Sequence, residues 1–191
     1  MEEIKEYCFL EKENVQECFD YIFAVKRYFK NIDGGGLSSG TIIDGIIGEF
    51  FSEKFNQYKL YHNGECDCIF YNRKFSIKTI KGKSQLALDW SKNKKENSDK
   101  EYFTCDIMIF NSKSEEWFKK TKVIPNGLYF ISSSFCKQHI QLKQNNKTNS
   151  LIDSKNLFKM LQNAFENNLY IPVVHDTNKY QWSALKGIYS S

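Results

Sequence analysis

Cys66-Asp67-Cys68-Ile69-Phe70-Tyr71-Asn72-Arg73-Lys74-Phe75-Ser76-Ile77-Lys78-Thr79-Ile80 is the stretch on which the reading of this chain turns. Two apolar-rich runs flank a short polar step, the pattern of a β-hairpin. The expected strands are Cys66 to Tyr71 and Lys74 to Ile80, with Asn72-Arg73 as the turn. Side chains alternate between the faces of a strand, so Ser76 and Lys78 project together. Asp67 stands nine residues before Ser76, a separation that returns the chain to the same end of the sheet. Adjacent antiparallel strands then bring Asp67 within several ångströms of both. The plainer alternative is a surface ion pair between Asp67 and Lys78, worth under about 1 kcal/mol.

Working outward, Tyr58 to His62 reads as a strand, and Asn63-Gly64 as a turn. Before it, Thr41 to Tyr58 reads as a helix. Ile42, Ile43, Ile46, Ile47, Phe50, Phe51 and Phe55 form a wide apolar stripe suited to packing on a sheet. Glu49 and Glu53, one turn apart, lie at the edge of that stripe. Residues 33–40 hold three consecutive glycines and read as a loop; no Gly-Lys-Ser/Thr follows, which excludes a Walker loop. Residues 13–29 read as a first helix, with Val15, Cys18, Phe19, Ile22, Phe23 and Phe29 in phase and Asn14 as a cap.

After the hairpin, Ser84 is expected to open a helix to about residue 95, carrying Leu86 and Trp90. Tyr102 to Phe110 reads as a strand, as do Val123-Ile124 and Gly127 to Ser134. Residues 141–150 are polar and read as loop. Asp153 or Ser154 starts a helix with Leu157, Phe158, Leu161 and Phe165, and Leu169 to Val174 reads as a last strand. Helices and strands in this order predict an α/β domain, a mixed central β-sheet flanked by helices. The whole chain, 1–191, is expected to form one domain.

Composition narrows the function classes. Hydrophobic residues are 41% of the chain, aromatics 16%, and prolines only two, which excludes a disordered protein. No apolar run is long enough to span a membrane. The acidic start Met1-Glu2-Glu3-Ile4-Lys5-Glu6 lacks the apolar core of a secretory signal, so a cytoplasmic location is expected. The six cysteines read as packed thiols: Cys66 and Cys68 are the only close pair, with neither zinc spacing nor a second pair. His62, His139 and His175 are scattered without ligand spacing. Net charge is +4, but residues 72–100 carry nine Lys or Arg against three Asp or Glu. Such a basic block suits a polyanion partner, or is simply a solvated face.

A carboxylate beside a lysine on rigid sheet suits phosphodiester hydrolysis. The carboxylate is a hard oxygen ligand for magnesium, and the lysine offsets charge developing on the phosphorus centre. Asp67 and Ser76-Ile77-Lys78 resemble the PD-(D/E)XK motif of restriction and repair nucleases. Ser-Ile-Lys-Thr also resembles the Glu-Leu-Lys-Thr segment of the MutH and Sau3A-like endonucleases. In those enzymes a glycine-rich helix with a glutamate precedes the site, as Gly45-Ile46-Ile47-Gly48-Glu49 does here. The resemblance covers about residues 40–110, with 41–110 as the catalytic core. Residues 111–191 are left to complete the sheet and supply recognition or dimer elements.

The resemblance implies a magnesium-dependent type II restriction endonuclease. It would cut double-stranded DNA to 5′-phosphate and 3′-hydroxyl ends, as a homodimer on a palindromic site with a cognate methyltransferase. Asp67, Ser76, Lys78 and Glu49 would be catalytic, and Asp67, Glu49 and the Ile77 carbonyl would hold the metal. Lys81, Lys83, Lys92, Lys94 and Lys95 would meet phosphates, and Gln85 a base edge. The sequence departs from the motif twice. Cys66 replaces the proline before Asp67, and Ser76 takes the place of the second acid. That acid must then come from elsewhere: Glu49 is favoured, ahead of Glu53, Glu65 and Asp89. A repair or junction-resolving nuclease, and a DNA-binding module with a degenerate site, remain the competing readings.

Overall fold

A computed structural model describes residues 1–10, 12–28, 39–63, 66–80, 86–88, 103–111, 124–141, 143–145 and 149–174. Among these, six strands form one mixed sheet in the order β1-β2-β3-β5-β6-β9. They are β1 (Tyr58–Asn63), β2 (Cys66–Phe70), β3 (Arg73–Ile80), β5 (Asp106–Asn111), β6 (Gly127–Ile131) and β9 (Tyr170–Pro172). Only β3 and β5 pair in parallel; the other neighbours are antiparallel. A three-stranded sheet in the order β4-β8-β7 stands beside it, from β4 (Leu86–Leu88), β7 (Lys143–Asn145) and β8 (Asn149–Ile152). No helix of the described residues is long and apolar enough to cross a membrane.

The two faces of the large sheet are covered by different helices. On one lie α1 (Glu2–Leu10), α2 (Lys12–Tyr28) and α3 (Ser39–Lys54). Tyr7 meets Phe70 edge-on with ring centroids 4.7 Å apart, Phe19 stacks on Phe110 at 5.1 Å, and Phe51 lies 6.4 Å from Phe70. Phe70, Phe75, Ile77 and Phe110 therefore point toward these helices. The opposite face carries α5 (Ser154–Glu166), where Phe165 packs on Tyr170 and Tyr170 on Tyr129. The register Lys78↔Ile109↔Tyr129↔Tyr170 runs across this second face. Helix α4 (Ser133–His139) is short and capped by the Ser132 hydroxyl.

Several expectations change. The hairpin turn is Tyr71-Asn72, one residue earlier than expected. Both residues have positive φ, 48° and 58°, the mirror-image turn whose twist matches that of the strands. Asn72 tolerates this conformation, and Arg73 thereby joins β3 opposite Phe70. Leu86–Leu88 is a strand rather than the start of a helix, because pairing with β8 overrides local periodicity. Ser132 caps a helix where a continuing strand was expected, and Ile124 lies outside any strand. Residues 143–145 and 149–152 form a hairpin in the stretch read as loop. Helix α1, unforeseen, buries Ile4 and Tyr7. The cap at Asp153 is as expected: its carboxylate accepts from the Asn156 N–H at 2.9 Å. Cys18, Cys66, Cys68, Cys105 and Cys136 are buried and outside disulfides, in keeping with packed thiols.

Candidate active site

The β2–β3 ladder runs Phe70↔Arg73, Ile69↔Lys74, Cys68↔Phe75 and then stops. The next step sets Asp67 opposite Ser76. Here a side chain replaces the backbone partner: Asp67 Oδ2 accepts the Ile77 N–H at 2.6 Å and the Ser76 hydroxyl at 3.2 Å. The first bond is short and charge-assisted, the second longer and weaker. Because the Ile77 N–H points along the sheet toward β2, the carboxylate occupies the gap between the diverging strands. The N–H and C=O of a strand residue leave toward the same neighbour, so the Ile77 carbonyl also faces that gap.

Burial grades sharply across this row. Ser76 and Ile77 are buried, at 0% and 2% exposure, while Asp67 and Lys78 are half-buried. Both bonds from β3 fall on Oδ2, so Oδ1 accepts none among the described residues. Asp67 and Lys78 do not form the surface ion pair that was the plainer alternative. Among the described residues Lys78 has neither an ion pair nor a hydrogen bond. Lys78 shares the α5 face with Ser76, where its row neighbour is Ile109.

Helix α3 crosses the other face at the same level. A Cβ on Gly48 would come within 2.9 Å of Leu60 Cδ2, so the helix backbone lies close to β1 there. Leu60 pairs with Cys68, and Cys68 with Phe75, the row adjacent to Asp67 and Ser76. Glu49 follows Gly48 and is exposed, as is Glu53 a turn further on. Glu49 thus lies on the helix face of the sheet, and the side chains of Ser76 and Lys78 on the other. Asp67, next to Cys68, springs from the same face as Ser76, and its carboxylate turns into the gap to reach the Ile77 N–H. The Tyr58 hydroxyl is buried beside the Cys68 thiol. Burial, chiefly, then the adjacent Cys68 and, after it, the charge of Asp67 hold the hydroxyl neutral. Burial likewise pushes the Cys68 thiol up to about 12, which keeps it un-ionised and inert.

The structure thus brings together Asp67, Ser76 and Ile77; Lys78 follows two residues along β3 on the Ser76 face, and Glu49 is exposed on the helix that covers the opposite face. Glu65, Asp89, Lys81, Lys83, Gln85, Lys92, Lys94, Lys95 and Trp90 lie outside the described residues, as does most of the glycine loop 33–40. What the sequence did not reveal is the Ile77 N–H as partner of Asp67. A backbone donor leaves no mark in residue identity, and only the end of the ladder exposes it.

No family model matches the chain, and no curated protein matches it. Among solved structures it is similar to a restriction endonuclease in complex with substrate DNA, with a TM-score of 0.60 and 17% identity. The match covers 94% of this chain and 92% of the other. At that identity the likeness speaks for the fold: this chain has the restriction-endonuclease-like architecture of a mixed sheet flanked by helices.

Proposed function

We propose that this protein is a magnesium-dependent, sequence-specific endonuclease for double-stranded DNA, acting as a type II restriction enzyme. One observation carries the reading. On a restriction-endonuclease-like fold, a half-buried carboxylate whose Oδ1 accepts no hydrogen bond among the described residues stands two residues along the sheet from a lysine with no ion pair among those residues.

The donors suit the metal. Asp67 Oδ1, the Ile77 carbonyl and Glu49 are oxygen ligands, the kind magnesium takes. Among the described residues no group of three or more His, Cys, Asp or Glu side chains could hold an ion. Magnesium commonly uses only one or two carboxylates, with water and substrate phosphate completing its shell, so a sparse set fits. When bound, the ion supplies charge at the scissile phosphate and a more acidic water.

The chain's own residues do the rest. Asp67, fixed by Ile77 and Ser76, presents one carboxylate oxygen in a constant direction. Lys78 holds the attacking water and offsets charge as the water oxygen bonds to phosphorus. The bond from phosphorus to the 3′ oxygen breaks, leaving a 5′-phosphate and a 3′-hydroxyl. The basic stretch that includes Lys81, Lys83, Lys92, Lys94 and Lys95 meets the DNA backbone, Gln85 a base edge, and the segment 111–191 contributes recognition or dimer contacts. A homodimer matches a palindromic site, and a restriction role implies a partner methyltransferase.

Ser76 favours a second reading, a DNA-binding module whose nuclease site is degenerate. Incubating the protein with plasmid and magnesium separates the two. Discrete fragments from wild type, lost in Asp67→Ala and Lys78→Ala, support the enzyme. No cleavage of varied DNA, or equal cleavage by both variants, refutes it. Nicking confined to junctions or mismatches points to repair.

A further inference from the structure

We infer that Ser76 is a positioning residue that aims Asp67 rather than a lost metal ligand. The inference rests on the nuclease reading above.

The observations concern one oxygen atom. Ser76 Oγ lies 3.2 Å from Asp67 Oδ2, and the Ile77 N–H reaches the same oxygen at 2.6 Å. Two donors on one oxygen fix the rotation of the carboxylate and leave Oδ1 as its outward ligand atom. A single N–H holds a carboxylate at one point only and leaves it free to swing about that contact. Ser76 removes this freedom, because its hydroxyl approaches from its own strand face while the N–H approaches in the plane of the sheet. Pre-orienting a ligand atom in this way strengthens metal binding without adding a ligand.

Ser76 is also fully buried. An aspartate there would set a second carboxylate in a solvent-free position directly against Asp67, where two like charges disfavour each other. The neutral hydroxyl donates a hydrogen bond to Asp67, which an ionised acid cannot do. Ser76 is thus matched to Asp67 as a donor. Restoring the acid of the motif is expected to harm the site, and the second carboxylate must approach from outside this row.

The test compares wild type with Ser76→Ala, Ser76→Thr, Ser76→Cys and Ser76→Asp in the full chain. Manganese binding is read by calorimetry with and without duplex DNA, and plasmid cleavage in magnesium is read in parallel. Ser76→Ala is expected to bind manganese about ten-fold more weakly, the loss of one hydrogen bond to a charged acceptor. Ser76→Thr, which keeps the hydroxyl, is expected within about three-fold of wild type, and such rescue marks a donor role rather than simple packing. Ser76→Cys keeps the volume with a weaker donor, and serves if Ser76→Ala fails to fold. Ser76→Asp is expected to bind no more tightly than wild type. Unchanged manganese binding in Ser76→Ala, tighter binding with faster cleavage in Ser76→Asp, or no manganese binding by wild type overturns the inference. Absence of cleavage by wild type, with the binding order intact, overturns the nuclease reading alone.

Discussion

The carboxylate of Asp67 takes the Ile77 N–H at 2.6 Å just where the β2–β3 ladder ends. One residue thus terminates a strand pairing and occupies the space the termination opens. Removing the side chain strands a buried backbone donor, which costs about 1–3 kcal/mol. Asn keeps an acceptor oxygen but loses the charge. Asp67→Ala is therefore expected to melt several degrees below wild type and Asp67→Asn much closer to it, with both inactive. Thermal melts checked beside cleavage assays separate the two roles. Equal melting of both variants would contradict the hydrogen bond's structural part.

Glu49 is exposed on a helix whose Gly48 backbone lies close to Leu60. Replacing an exposed side chain shifts stability by no more than about 0.5 kcal/mol. Glu49→Gln is expected to keep the wild-type melting temperature and lose cleavage by at least about ten-fold. Full activity would remove Glu49 from the site, and Glu53, Glu65 and Asp89 would then be substituted in turn.

At the hairpin end of the sheet, Asp106 is 4% exposed and accepts from Arg73 Nε at 2.6 Å and from the Ser133 N–H at 2.7 Å. The bond ties β3 to β5, and the second seats the start of α4. Arg73→Ala leaves a buried charge with one donor fewer, a loss of about 1–3 kcal/mol. Urea unfolding should register it as a lower midpoint with an unchanged slope. No shift of midpoint would show that solvent replaces the arginine, whose side chain is 38% exposed.

Two glycines should respond in opposite directions. A Cβ on Gly127 would stand 2.2 Å from the Ile171 carbonyl oxygen, a backbone atom of the neighbouring strand. Gly127→Ala must part β6 from β9, and soluble yield or melting temperature is expected to fall. Gly45 has nothing within 4 Å of such a Cβ and lies in the interior of α3. Gly45→Ala is expected to stabilise by up to about 1 kcal/mol, read in the same melts.

Periodicity made much of this legible. The apolar stripe of α3, the run in β5 and the hairpin 66–80 each carry their own pattern, and they fix the mixed sheet. The pairing of β4 with β8 was not legible, since Leu-Ala-Leu has no period of its own and takes its form from a strand more than sixty residues away. The pairing of β7 with β8 was hidden by the polar composition of residues 143–145 and 149–150. In the site, Asp67, Ser76 and Lys78 could be counted across a turn even with the turn misplaced by one residue. The in-plane seat of the Asp67 carboxylate could not, because it depends on where two backbones part.

The most direct test is single-turnover cleavage of duplex DNA in magnesium by wild type, Asp67→Asn and Lys78→Ala, with DNA binding measured on the same preparations. The expected result is discrete cleavage by wild type, with both variants slower by at least about a thousand-fold and still binding DNA. Cleavage by either variant at the wild-type rate would contradict the assignment of Asp67 and Lys78 as the chemical centre.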